Sequence, residues 1–159
     1  MKKKYIIEVS HVNKSFKNNK VLKDVTLRCE SGRIYGLVGH NGSGKTVLFK
    51  TICGFLSCDE GTVSVNGKVM GKDKDMLTEA RYHYRRAQAI MEDPPILILD
   101  EPMNGLDKNG VAEIRELLLK MKNENRLIIL ASHNREDIEI LCDEVYEMED
   151  GILRKIVKE

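Results

Sequence analysis

The sequence has no excess of charge of either sign, since 26 Lys and Arg residues face 25 Asp and Glu residues for a net charge of +1. Such a balance gives no overall field that would attract nucleic acid or an acidic membrane surface. The short run Arg81 to Arg86 interleaves arginine with two tyrosines, but it has no wider basic face. It therefore favours a solvated helix surface over a nucleic-acid patch, and we expect no nucleic-acid partner.

Long apolar runs are also missing, because no stretch approaches the roughly 20 residues of a membrane-spanning helix. Met1 to Lys4 resembles the start of a signal peptide, but Glu8 interrupts the apolar residues that follow. The cysteines show no close paired spacing, which favours reduced thiols over a disulfide framework or a zinc site. They are Cys29, Cys53, Cys58 and Cys142. These absences predict a cytoplasmic protein.

The length of 159 residues predicts one domain over residues 1–159 with a sizeable core, and there are no internal repeats. Strand patterns alternate with helix patterns, which predicts an α/β fold with a mainly parallel sheet flanked by helices on both faces. An Asn66-Gly67 turn between two short strand patterns adds an antiparallel portion near the N-terminus. Predicted strands cover 4–10, 21–29, 34–38, 61–67, 96–99, 126–131, 144–148 and 152–157, and predicted helices cover 45–54, 76–91, 109–122 and 135–142.

Residues 39–46 fit the pattern G-x-x-x-x-G-K-[ST], between an apolar strand pattern at 34–38 and a helix pattern. Gly39, Gly42 and Gly44 leave backbone N–H groups free of blocking side chains, and the helix that follows points its N-terminus at an anion. Lys45 can add a positive charge over the β- and γ-phosphates, and the Thr46 hydroxyl can bind Mg²⁺. The stretch therefore predicts a triphosphate-binding loop, with a glycine-rich turn at a helix start as the simpler alternative.

A second set of polar residues follows two apolar strand patterns. Asp100 and Glu101 end the run that starts at Ile96, and Ser132-His133 ends the run at 127–131. Ligands of parallel sheets bind at the carboxyl ends of the strands, so Asp100 should share one edge with Lys45 and Thr46. There Asp100 can hold Mg²⁺ and Glu101 can polarise a water molecule. His133 can reach a γ-phosphate, although a lone histidine at a strand end is more often structural.

Together, these motifs resemble an ATP-binding cassette (ABC) ATPase, a P-loop NTPase that powers transport. The resemblance rests on Gly39–Thr46, Ile96–Pro102, Asn104-Gly-Leu-Asp107 and Ser132-His133, which occur in the family's order and with its downstream spacings. The subtype is similar to bacterial cassettes that serve drug or peptide exporters. The resemblance implies ATP or ADP with Mg²⁺ as ligands, a transmembrane permease and a second ATPase subunit as partners, and a peripheral position on the inner face of the cell membrane.

The resemblance also implies roles for individual residues. Phe16, in a predicted polar loop at 14–20, corresponds to the aromatic that stacks on adenine, and Asp107 falls on a loop that contacts the second subunit. Glu101 corresponds to the catalytic carboxylate and His133 to the switch histidine, while Thr46 and Asp100 correspond to the Mg²⁺ ligands. The expected nucleotide-binding residues are Phe16, Gly39, Asn41, Gly42, Ser43, Gly44, Lys45 and Thr46.

One part of the family pattern is absent from the sequence. Between Asn66 and Asp100 the family carries a glutamine-bearing loop, a helical subdomain and a Leu-Ser-Gly-Gly-Gln-type signature. Here residues 71–95 hold no glycine after Gly71, and Gln88 aligns with a helix position. We interpret residues 71–86 as a shortened bridge in place of the subdomain. The alternatives are an ATPase that powers export, a nucleotide-binding core that barely hydrolyses ATP, and a small nucleotide kinase. We expect binding with weak hydrolysis.

Overall fold

A computed structural model describes residues 3–70 and 94–157 of the chain. The strands are β1 (Ile6–Phe16), β2 (Asn19–Glu30), β3 (Arg33–Val38), β4 (Glu60–Val65), β5 (Lys68–Val69), β6 (Ile96–Asp100), β7 (Leu127–Ala131), β8 (Glu144–Glu149) and β9 (Ile152–Ile156). The helices are α1 (Lys45–Ile52), α2 (Lys108–Asn123) and α3 (Arg135–Leu141).

The central sheet has the strand order β6-β7-β3-β8-β9. The first four strands run parallel, and β9 pairs antiparallel with β8 at one edge. Strands of buried parallel sheets need apolar side chains on both faces, which explains the continuous apolar runs of β6 and β7. The expected mainly parallel sheet is confirmed.

Alternate residues of these strands enter two separate cores. Ile96 and Ile98 point into the core that contains Leu48 and Phe49 of α1, together with the second sheet. Leu97 and Leu99 point the other way, into the core beneath α2 and α3. Helices therefore cover both faces of the central sheet, as expected.

The second sheet is antiparallel, with the order β2-β1-β4-β5. The Asn66-Gly67 turn joins β4 to β5, so the expected hairpin and the antiparallel portion near the N-terminus are confirmed. The predicted polar loop at 14–20 is wrong, because β1 runs to Phe16 and pairs with β2 as far as Asn19. Register shifts along β1 allow polar residues such as Asn13 and Lys14 to stay in the strand, and only two residues form the turn.

The four cysteines are free thiols, as expected. Burial raises the pKa of Cys53 to about 12 and also raises the pKa of Cys29, so both are unreactive at neutral pH. The predicted helix at 76–91, the bridge at 71–86 and the basic run at 81–86 lie outside the described residues. Among the described helices, none is long and apolar enough to cross a membrane.

Candidate functional site

The strand register brings the predicted site residues to one edge of the central sheet. Ala131 of β7 pairs with Leu37 of β3 on one side and with Asp100 of β6 on the other. The segments that follow these three positions therefore leave the sheet side by side. They are the phosphate loop at 39–44, Glu101, and Ser132-His133. Lys45 and Asp100 line the same cleft, as the resemblance requires.

The phosphate loop takes a backbone path that depends on glycine. Gly39 has φ +152°, and a Cβ on it would lie 2.3 Å from the carbonyl oxygen of Met148. The loop ends at Gly44, after which α1 begins at Lys45. The first N–H groups of a helix have no partner within the helix, so the N-terminus of α1 is suited to an anion.

A cleft of about 380 Å³ opens over this helix start. Its wall includes Asn41, Gly42, Lys45, Asp100 and Glu101. The Lys45 ammonium donates a hydrogen bond to the carbonyl oxygen of Gly39, so the lysine is folded back over the loop. The cleft thus presents one cation and a helix N-terminus on one side and two carboxylates on the other.

Thr46 and Asp100 meet across this cleft. The Thr46 hydroxyl donates to the Asp100 carboxylate at 3.4 Å, a long hydrogen bond. Mg²⁺ prefers oxygen ligands and is commonly held by one or two protein oxygens together with substrate phosphates and water. A hydroxyl and a carboxylate at this separation fit that ion. No group of three or more His, Cys, Asp or Glu side chains suited to a metal occurs in the described part of the chain.

Glu101 is held in an unusual backbone conformation beside His133. Its φ is +51°, and its N–H donates to Ala131 of the neighbouring strand at 2.8 Å. Its carboxylate accepts from the His133 backbone N–H at 3.0 Å, and the His133 Nδ1 lies 2.5 Å from the same oxygen. A positive φ is rare for a residue with a Cβ, and such strain is often found at functional sites. The loop after β7 therefore fixes the direction of the Glu101 side chain.

A buried ion pair supports that loop from below. Asp137 of α3 is 2% exposed and accepts two hydrogen bonds from the Arg115 guanidinium of α2, at 2.5 and 2.9 Å. The Ser132 hydroxyl donates to Asp137 at 3.5 Å and accepts from the Asn134 N–H at 3.1 Å. The residues predicted from sequence do not include this network. Its one signal is an acidic residue on the same helix face as Ile138 and Leu141.

Other predicted site residues lie in less direct positions. The Ser43 side chain is 1% exposed, and its hydroxyl lies inside the phosphate loop near Gly39, so it does not face the cleft. Phe16 is 44% exposed, with the Lys14 ammonium 5.3 Å from its ring centre. Asp107 caps α2, where its carboxylate accepts from the Gly110 N–H at 2.7 Å.

The sequence is similar to those of known ABC transporter proteins. A family model described as ABC transporter matches residues 22–86. The ABC transporter ATP-binding protein YybJ of Bacillus subtilis is 31% identical over 206 residues, a match that covers 93% of this chain and 94% of YybJ. The bacitracin transport ATP-binding protein BcrA of Enterococcus faecalis is 28% identical, with 94% of this chain and 68% of BcrA covered.

Solved structures agree at the level of the fold. The ATP-binding cassette MJ0796, in a dimeric post-hydrolysis state bound to ADP and Pi, matches with a TM-score of 0.81 at 16% identity, over 95% of this chain and 99% of that chain. An ATP-binding subunit of an ABC transporter also matches with a TM-score of 0.81, at 19% identity, over 95% of this chain and 90% of that one. The fold is that of an α/β P-loop nucleotide-binding core. The chain belongs to the family of ABC transporter ATP-binding proteins.

Proposed function

We propose that this chain binds ATP or ADP together with Mg²⁺ in the cleft between the phosphate loop and Asp100. The observation that carries the proposal is the meeting of Thr46 and Asp100, 3.4 Å apart, in a cleft that Lys45 also lines. The family binds these nucleotides, and a solved cassette of the same fold holds ADP and Pi.

The phosphates would lie over the start of α1. The N–H groups of the phosphate loop and the helix N-terminus supply donors for the β-phosphate. Lys45 would exchange its hydrogen bond to the Gly39 carbonyl for bonds to the β- and γ-phosphates, because a charge-assisted bond to phosphate is the stronger of the two. Thr46 and Asp100 would hold Mg²⁺, which neutralises phosphate charge when it is bound.

The base would extend towards the antiparallel sheet. A second cleft, of about 210 Å³, shares Gly42 with the phosphate site and reaches Asn19. Asn19 pairs with Phe16 in the β1–β2 hairpin. The exposed Phe16 ring therefore lies on the side to which a nucleotide would continue from its phosphates, where an aromatic face can stack on adenine.

We further propose that hydrolysis by this chain is weak. Glu101 lines the cleft and lies 2.5 Å from His133, and the family resemblance implies that these two residues act on a water molecule and a γ-phosphate. The signature that would supply donors to developing charge from a second subunit is absent from the sequence. The alignment with YybJ runs over 206 residues although this chain has only 159, which supports the absence from this chain of a segment that YybJ contains.

The partners proposed for the chain follow the family. ABC transporter ATP-binding proteins serve a transmembrane permease, and BcrA is named for bacitracin transport, which supports export of a drug or peptide. Another solved structure of similar fold, cbiO1 from Clostridium perfringens, is part of the ABC transporter complex cbiONQ. We accordingly place the chain in the cytoplasm on the inner membrane face, with a permease and a second ATPase subunit as partners. The missing helical segment would weaken both contacts.

The test is a titration of the chain with ATP, with and without Mg²⁺, beside a phosphate-release assay. We expect saturable Mg-ATP binding and a turnover well below the roughly 1 s⁻¹ at which typical enzymes begin. Glu101→Gln should remove the residual rate and keep ATP bound, while Glu113→Gln, an exposed change on α2, should leave both unchanged. Absence of saturable binding would contradict the nucleotide site. A wild-type rate above about 1 s⁻¹, or unchanged turnover in Glu101→Gln, would contradict the account of hydrolysis.

A further inference from the structure

The turn between β8 and β9 packs directly against the phosphate loop. The Gly151 N–H donates to the carbonyl oxygen of Ser43 at 2.9 Å, and the Gly151 carbonyl accepts from the N–H of Lys23 at 2.9 Å. Both polar groups of one buried glycine therefore join the C-terminal hairpin to the phosphate loop and to β2.

There is no room for a side chain at this contact. Gly151 has φ +82°, and a Cβ on it would lie 2.4 Å from the carbonyl oxygen of Val21. At the other end of the phosphate loop, a Cβ on Gly39 would lie 2.3 Å from the carbonyl oxygen of Met148, in β8. The loop is therefore in backbone contact with the C-terminal hairpin at two points.

The contact at Ser43 sets the direction of a peptide group that faces the nucleotide cleft. A trans peptide unit is planar, so its C=O and N–H point in opposite directions. With the Ser43 carbonyl fixed at Gly151, the Gly44 N–H of the same peptide is fixed away from the turn, and Gly44 lines the cleft. A glycine-rich loop would otherwise lose much conformational freedom when an anion orders it.

We propose that the β8–β9 turn is a positioning element of the nucleotide site, and that Gly151 keeps the phosphate loop in its binding-competent shape. The proposal rests on the nucleotide binding proposed above and assigns to that site a residue more than 100 positions beyond the phosphate loop along the chain. Gly151 acts through the backbone of Ser43, and it also lines the cleft of about 210 Å³ proposed above for the base.

The test compares Gly151→Ala with Gly67→Ala. Gly67 has nearly the same φ, +83°, but a Cβ on it would meet nothing within 4 Å. Both variants bear the cost of a left-handed alanine, and only Gly151→Ala disturbs the contact with the phosphate loop. If the binding-competent fraction of the loop falls to about a tenth, the Kd of Mg-ATP rises about tenfold. We expect that rise in Gly151→Ala and an unchanged Kd in Gly67→Ala, both measured well below the melting temperatures.

An equal Kd in the two variants, with wild-type binding intact, would overturn the positioning role and leave the nucleotide site standing. Failure of the wild-type chain to bind Mg-ATP would overturn both proposals. Should Gly151→Ala fail to fold, amide hydrogen exchange of the wild-type chain gives the answer. Mg-ATP should slow exchange at the Gly151 and Lys23 N–H groups and leave the Gly67 N–H unchanged, and equal exchange at Gly151 with and without nucleotide would overturn the proposal.

Discussion

The middle of the central sheet and its carboxyl edge are made by the same strands, yet they obey different rules. In the middle, Leu99 and Leu130 are fully buried and paired in regular parallel register. One or two residues further along, Asp100 and Glu101 are polar and partly exposed, and Glu101 has a left-handed backbone. The chain therefore passes from a fully buried leucine to a partly exposed glutamate within two residues.

This difference shows how the chain separates stability from chemistry. Burial of the apolar middle supplies the stabilising free energy, while the edge collects groups that lower it, such as a strained glutamate and neighbouring carboxylates. A strained, charged edge persists because the rigid strands below determine its position. Substitutions in the two regions should accordingly affect different measurements.

The largest effect is expected at Asp137, which lies beneath the edge. Asp137→Ala would leave the Arg115 guanidinium, 18% exposed, without its main partner, and breaking a buried ion pair costs about 3–5 kcal/mol. Urea denaturation measures this loss. The double variant Arg115→Met with Asp137→Leu should recover most of it, because an apolar pair avoids the uncompensated charge; a double variant as unstable as the single one would contradict this explanation.

Leu99→Ala tests the middle of the sheet. Leu99 is fully buried in the core beneath α2 and α3, so its truncation should lower the free energy of unfolding by about 2–5 kcal/mol. The Kd for Mg-ATP at low temperature should stay unchanged, because this face lies away from the phosphate loop. A loss of less than about 1 kcal/mol would contradict the claim that the buried middle of the sheet supplies the stabilising free energy.

Asp100→Asn, at the next position, should behave in the opposite way. The unfolding free energy should change by about 0.5 kcal/mol or less, because the side chain is partly exposed. Binding of Mg-ATP should weaken about tenfold, which corresponds to the loss of one charge-assisted contact worth about 1.4 kcal/mol. ATP binding in excess EDTA should not respond to the change; an equal effect with and without Mg²⁺ would show that Asp100 does not act through the ion.

Phe16→Ala should have the smallest effect. Loss of a stacking face at an exposed position should raise the Kd of ATP by about threefold to tenfold. Inorganic triphosphate has no base, so its binding should be unchanged, and Phe16→Tyr should keep the affinity for ATP. If the affinities for ATP and for triphosphate fell equally, the base would not stack on Phe16.

The parts of this structure that sequence could predict are those with a local pattern. Short local patterns predict the strands β6 and β7, from their apolar runs, and the phosphate loop, from the glycine spacing of residues 39–46. The loop predicted over residues 14–20 is wrong, because the strand conformation of Phe16 comes from pairing with β2, which overrides a polar, loop-like composition. Contacts such as Gly151 with Ser43 join distant parts of the chain, and no local pattern announces them.

The central claim is that Lys45, at the start of α1, binds the phosphates of ATP. The most direct test is calorimetric titration of Mg-ATP into the wild-type chain, Lys45→Ala and Lys50→Ala. Lys50 is an exposed lysine on the same helix, so its loss changes the net charge equally. We predict saturable binding by the wild-type chain and by Lys50→Ala with nearly equal Kd, and a Kd raised about 100-fold in Lys45→Ala. Equal weakening in the two lysine variants, or unchanged binding in Lys45→Ala, would contradict the claim.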